Sequence, residues 1–248
     1  MILSIRHKFI FVRGRKVAGT SVEMALSTIC GPSDIATPMI AVDELTRQRM
    51  QGHCGNYSGN PAFEKAYIAM VLASPPERLI RLRPPPGRYR VHMSVADIAK
   101  IYPGPIADYR VVSIQRNPYE RVISFLNMKQ SISAYRDAGE MRGRLDRIAD
   151  EFDRAAANSG LSLLRNTETV RPTDPAQQIR MFRHETLQAD FDAFLRECGI
   201  ARRVELPFAK RGLMSQSLDP RQILRRDQLN LINATFADEF EAGGYRTL

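Results

Sequence analysis

The sequence predicts an α/β domain with a mostly parallel central sheet, and three observations carry that reading. Lys8 to Val12, KFIFV, is a short apolar run rich in aromatic and β-branched residues, the pattern of a strand buried on both faces. A loop of small and basic residues follows, and then Val22, Ala25, Leu26 and Ile29 recur at helical spacing. Tyr109 to Ile114, YRVVSI, is a second buried strand, and Asn117-Pro118 after it supplies an N-cap and a first helical residue. Strands and helices therefore alternate along the chain.

The 248 residues, 44% of them hydrophobic, are enough for one sizeable core and are read as a single domain over 1–248. The formal charge of +9 suits nucleic acid, an anionic membrane face or an anionic small molecule, and by itself selects none of them. Cys30, Cys54 and Cys198 are odd in number and widely spaced, so neither a disulfide framework nor a zinc site is indicated and a reducing compartment fits. The opening MILSIRHKFIFV holds an apolar run far too short to span a membrane, with no small-residue cleavage site after it. It reads as one core strand of a soluble protein.

Gly31-Pro32 stops the first helix. From Pro32 to Arg88 the chain is rich in Pro, Gly and Ser, with brief helical stretches such as Pro61 to Leu72. Tyr89 to His92 looks like a short strand, and Ser94 is a candidate N-cap for a helix through Ile101. Val122, Phe125 and Leu126 share a face of the helix that starts at Pro118. Residues 130–160 are charged and helix-forming without a clean apolar stripe, which favours a solvated helical excursion, with a substrate-facing lid as the alternative. Leu187, Phe191, Phe194, Leu195 and Cys198 form a strong apolar helix face stopped by Gly199, and a last helix is expected over Arg221 to Glu241.

The chemistry concentrates in the loop RGRKVAGTS, Arg13 to Ser21. It nearly spells the phosphate loop G-x-x-x-x-G-K-[ST], with Gly14 and Gly19 at the right separation, but Thr20 stands where that motif has its lysine and Lys16 lies inside the loop. An anion cradle survives the change, because Gly19 allows close backbone approach and the amides up to Ser21 open a helix N-terminus. An NTPase also needs an acidic residue for Mg²⁺ at the end of a neighbouring strand, and VVSIQRNP offers Gln115 and Arg116 there. Arg116 follows a strand end and Ser124 lies two turns into the next helix; ligands of open α/β sheets bind outside the carboxyl ends of strands, so this segment and the loop are expected to border one crevice.

A lysine-bearing loop of this shape, followed later by RNPYER and a serine, resembles the sulfotransferase superfamily, most closely its bacterial and carbohydrate sulfotransferase branch. That family's first motif, H-x-P-K-T-G-G-T-S, is matched at Lys16, Gly19, Thr20 and Ser21 and departs at Arg13, Val17 and Ala18. Its second, R-N-P-[YFW]-[DE]-R-x-x-S, is matched by Arg116, Asn117, Pro118, Tyr119, Glu120, Arg121 and Ser124. RHETLQADF resembles a third element, R-[YF]-E-x-L-x-x-D-F, with His184 in place of the aromatic. The resemblance implies a P-loop-like, three-layer α/β/α domain. Residues of about 32–88 and 130–178 then stand as substrate-specific insertions, longer than ordinary connections.

It further implies that the loop, through Arg15, Lys16, Gly19, Thr20 and Ser21, holds the 5'-phosphosulfate of 3'-phosphoadenosine 5'-phosphosulfate (PAPS), and that Arg116 and Ser124 bind its 3'-phosphate. The expected reaction moves the sulfuryl group to a hydroxyl acceptor and releases PAP, with no metal required. Lys16 would neutralise charge on the leaving phosphate. His92 is the candidate base, since imidazole titrates near neutrality; His53 in its Gly-rich loop is the rival, and Glu44 or Glu64 stays open. His7 and His184 read as structural, Tyr119 and Arg121 as packing and helix-surface residues, and Lys210 and Arg211 as a basic loop that is either solvated or laid over the nucleotide. The competing classes are a P-loop kinase or NTPase and a basic nucleic-acid-binding protein, although no RNA or DNA motif accompanies the charge. A cytoplasmic, bacterial enzyme without a membrane span is expected.

Overall fold

In the computed structural model, which describes residues 1–137, 146–207 and 219–248, the chain opens on a hairpin rather than on one strand. β1 (Ile2–Ser4) and β2 (Phe9–Phe11) pair antiparallel, with Ile2 opposite Phe11 and Ser4 opposite Phe9. The elements continue as α1 (Gly19–Ser27), β3 (Ile35–Ala36), α2 (Ala41–Arg49), α3 (Pro61–Ala73), α4 (Pro76–Leu79) and α5 (Val95–Ile101). After them come β4 (Arg110–Gln115), α6 (Pro118–Asp137), α7 (Asp146–Ala157), β5 (Ile179–Arg183), α8 (Leu187–Glu197), α9 (Arg226–Thr235) and α10 (Ala237–Gly243).

The five strands lie in the order β3-β1-β2-β4-β5. β2 and β4 run parallel, Phe9 beside Arg110 and Phe11 beside Val112, whereas β1 is antiparallel to both β2 and β3. The sheet is thus mixed, which corrects the expectation of a mostly parallel one. The physical reason is the connection: residues 5–8 are too few for a parallel crossover, which needs a dozen or more, so β1 and β2 can only fold back on each other.

The chain divides into two compact units. The first holds Met1–Gly14, Ala18–Ile114 and, among the described residues, 168–207. It contains the whole sheet, apart from the last residue of β4, with α1 to α5 and α8. One apolar cluster joins Leu3, Ile10 and Val111 of the strands, and Val12 just after β2, to Val95 and Ile98 of α5. On other strand positions Phe9 and Phe182 pack against Phe194 of α8, with ring centroids at 5.4 and 5.6 Å, edge-on and tilted geometries whose attraction adds to the area they bury. Tyr89 to His92 is not a strand: His92 sits at φ 66°, a left-handed conformation that an extended segment cannot contain. Ser94 does cap α5, its hydroxyl accepting from the Asp97 amide at 3.1 Å.

The second unit, Arg15–Val17, Gln115–Thr167 and 219–248 among the described residues, is helical. Tyr119, Val122 and Leu126 of α6 pack with Ile148, Phe152 and Ala155 of α7 and with Leu229 and Ile232 of α9. α7 is therefore no solvated excursion: positions 148, 152 and 155 form an apolar stripe at helical spacing. The expected last helix is broken as well. A 3-10 turn at Pro220–Gln222 precedes α9, and Phe236 at φ −117°, ψ 24° separates α9 from α10. Phe236 is fully buried, and seating its ring in this core turns the chain where no Gly or Pro signals a stop.

Candidate functional site

The parallel register of β2 and β4 brings their carboxyl ends side by side, which leads the chain into Arg13 after one strand and towards Arg116 after the other. Val12 is tied to β4 by its own amide on the Val112 carbonyl (2.9 Å) and by the Ser113 hydroxyl on its carbonyl (2.8 Å). The residues that follow are shared between the units, 13–14 and 18–21 belonging to the first and 15–17 to the second.

In the first unit, α1 opens at Gly19 directly after Ala18, with no side-chain cap and no acidic residue in its first turn. A helix start of this kind presents amide dipoles to an anion. Ala18 has φ 65°, so the position where the resembled motif carries glycine does adopt the left-handed conformation glycine favours. The Ser21 amide is spent on the Ala18 carbonyl (3.1 Å), while its side chain is half-buried. Gly19 has a further reason to be glycine, because a Cβ there would come within 2.8 Å of Arg13 Cγ. The Arg13 guanidinium passes over it to donate to Thr20 Oγ1 (2.8 Å) and to Glu23 Oε2 (3.3 Å). Burial would push the Glu23 carboxyl up, but the Met1 ammonium at 2.9 Å and the Arg13 and Arg47 guanidiniums outweigh it and hold the carboxyl down to about 2.

His92 belongs to this end of the first unit. Its Nδ1 lies 2.7 Å from the Arg13 carbonyl. A carbonyl can only accept, so Nδ1 carries a proton. The rivals are placed otherwise. The His53 amide donates to Ser27 at the carboxyl end of α1 and its Nε2 donates to the Asp34 carbonyl at 2.9 Å. Nine residues of helix put that end roughly 13 Å from Gly19. Glu44 is buried against Arg47 and the Met39 amide, and Glu64 accepts from the Asn56 and Ser58 amides, so both carboxylates are committed to loop structure.

In the second unit Lys16 has φ 62°, and its carbonyl accepts from Arg116 Nη1 at 3.2 Å. The Nε of Arg116 donates to Glu120 Oε2 at 3.2 Å. The Lys16 ammonium reaches Met128 Sδ at 3.5 Å. Glu120, Ser124 and Met128 are spaced by four on α6, so half-buried Ser124 lies on the helix face that meets both Arg116 and Lys16. Lys16 from the first motif and Arg116 and Ser124 from the second are therefore gathered together.

Residues that sequence reading missed hold this arrangement. The Asn166 side chain accepts from the Arg15 amide (2.9 Å) and donates to the Arg15 carbonyl (3.4 Å), leaving the Arg15 side chain exposed. The Asn166 amide donates to Glu239 Oε1 (2.7 Å), and Glu239 forms a buried ion pair with Arg121. Arg121, 2% exposed and stacked 4.9 Å from the Phe236 ring, is thus a core residue rather than a helix-surface one. Tyr119 packs in the core as expected, its hydroxyl donating to Asn233. The only available signal for Arg121 and Tyr119 was the motif itself; nothing marked Asn166 or Glu239. Lys210 and Arg211 lie outside the described residues.

A cavity of about 320 Å³ lies at the opposite, amino ends of β2 and β4, lined by Lys8, Phe9, Tyr109, Arg110, Glu197 and Cys198 among others. It contains none of the residues singled out from the motifs. Among the described residues there is no group of three His, Cys, Asp or Glu side chains fit to hold a metal ion, and no helix is long and apolar enough to cross a membrane.

The chain matches no protein-family model and no curated protein. Among solved structures it is similar to a sulfotransferase from Alicyclobacillus acidocaldarius, at 14% identity over 96% of each chain and a TM-score of 0.37.

Proposed function

We propose that the protein is a sulfotransferase that uses PAPS to sulfate a hydroxyl-bearing acceptor, a saccharide or other metabolite, and releases PAP. The observation that carries the reading is the hydrogen bond from Arg116 to the Lys16 carbonyl, which joins the loop lysine to the arginine of the RNP segment. Two cations so placed, at the end of a strand and beside a helix start, suit a ligand with phosphate groups at both ends.

When bound, PAPS supplies an activated sulfuryl group and a phosphate leaving group. Lys16, with Arg15 next to it and the amides of Gly19 and Thr20, is assigned to the 5'-phosphosulfate, where a fixed ammonium counters charge gathering on the departing oxygen. Thr20 and Ser21 add hydroxyls to the same end, and the Thr20 hydroxyl, which accepts from Arg13, donates its own hydrogen to an oxyanion. Arg116 keeps Nη2 for the 3'-phosphate after Nη1 and Nε are committed to Lys16 and Glu120, and Ser124 lies one turn beyond Glu120. His92 Nε2 takes the acceptor's hydroxyl proton, since Nδ1 is held on the Arg13 carbonyl. These residues need no metal for that division of labour. Lys16 stands outside the position an NTP phosphate loop requires, and Arg116 occupies the strand end where such an enzyme places a Mg²⁺ carboxylate.

Sulfur-labelled PAPS offered with a panel of glycans and small alcohols is the functional test. Label transfer that disappears in Lys16→Met supports the proposal, and phosphate transfer from Mg²⁺-ATP instead would overturn it.

A further inference from the structure

We infer that α3 and the arginine-rich segment after it form a surface that docks on an anionic lipid bilayer. The inference is independent of the sulfotransferase reading. α3 turns Glu64, Tyr67 and Val71 inward, where Tyr67 and Val71 pack on Ala41 and Leu79. The rest of its circumference is not the polar face a surface helix normally presents. Phe63 and Met70 are each 49% exposed and Leu72 56%, alanines fill the stretch between them, and Lys65 is the single exposed charge on the helix. Exposed apolar residues gathered in this way mark an interaction site rather than ordinary surface scatter.

The chemistry of the partner follows from what adjoins the patch. Ile80, 54% exposed, sits within a run in which Arg78, Arg81 and Arg83 are all exposed. None of the three is in a salt bridge with a described residue, in contrast to Arg110, Arg165, Arg221 and Arg225 elsewhere on the surface. Across residues 61–90 the exposed carboxylate is Glu77, against Lys65, Arg78, Arg81, Arg83, Arg88 and Arg90. An apolar helix face beside guanidiniums without carboxylate partners among the described residues matches a membrane interface carrying negative headgroups: side chains such as Phe63 and Met70 enter the acyl boundary and the arginines meet phosphate. An acidic protein would satisfy the arginines but gives no reason for a bare face of alanines with Phe, Met and Leu at its borders.

The chain contains no tryptophan, so Phe63→Trp installs a single reporter on the patch. Vesicles of phosphatidylcholine with one third phosphatidylglycerol should sediment the protein at low salt and shift the indole emission of Phe63→Trp to the blue, and pure phosphatidylcholine vesicles should do neither. Binding should weaken at least tenfold in Phe63→Glu/Met70→Glu and in Arg78→Glu/Arg81→Glu/Arg83→Glu, all exposed positions whose circular dichroism should match the parent. The same charge change at the exposed Arg6, Arg171 and Arg202 should leave most of the binding intact. The inference is overturned if anionic vesicles do not bind the protein, if the patch variants bind as well as the parent, or if the control charge change is equally damaging. It is also overturned if sedimentation equilibrium shows a dimer that the patch variants dissociate, since the face would then belong to a second copy.

Discussion

Replacing Asn166 with alanine removes both hydrogen bonds that hold the Arg15 backbone, at 2.9 and 3.4 Å, without touching the Glu239 contact made by its own amide. A neutral hydrogen bond contributes about 1 kcal/mol, and the 3.4 Å contact less. The cost is then about 1–2 kcal/mol, drawn from the order of one loop rather than from a core. Because Lys16 is held at φ 62° by the residues on either side, loosening Arg15 gives back freedom that a ligand must remove. PAP affinity measured by calorimetry should fall about 5- to 30-fold, while the urea midpoint moves little. Unchanged PAP affinity in Asn166→Ala, whatever the stability does, would refute the idea that Asn166 keeps the loop in its binding form.

Lys16→Met should lower sulfuryl transfer by about 10²- to 10³-fold with a smaller effect on PAP affinity, read from steady-state rates beside calorimetry. His92→Asn suits the left-handed backbone at φ 66° and keeps a donor for the Arg13 carbonyl; transfer should fall about 10²- to 10⁴-fold and lose the rise in rate with pH that the base produces. The folded Glu23 carboxyl titrates near 2, below its ordinary value of 4.5. Its contribution to stability is therefore complete above about pH 4.5 and is lost as pH falls towards 2, roughly 3 kcal/mol in all, and Glu23→Gln should flatten that part of the thermal-denaturation profile. Ala18→Gly relieves the strain of φ 65° and should stabilise the fold by about 0.5–1 kcal/mol in urea titration.

What is readable in the sequence is local. β2 and β4 announce themselves as apolar runs, and Ser94 and Pro118 mark helix starts because capping chemistry acts within one turn. The first hairpin is hidden because its turn, through Arg6, His7 and Lys8, has no Gly, Pro, Asn or Asp, although Lys8 takes φ 53°. The stripe of Ile148, Phe152 and Ala155 is diluted by the charges around it, and the break at Phe236 is imposed by packing. Lys16, Arg116 and Ser124 can be nominated from their motifs, but the Asn166 clamp lies 151 residues from Arg15 and has no local pattern. Arg13 likewise looks like a departure from a motif, and its bonds to Thr20 and Glu23 emerge only once α1 is folded.

If Lys16 and Arg116 serve one nucleotide with phosphate groups at both ends, calorimetric titration of PAP will register both of them. PAP should bind saturably and without dependence on Mg²⁺, and at least tenfold more weakly in Arg116→Met. Absence of PAP binding to the folded protein, or binding that Arg116→Met leaves unchanged, would contradict it.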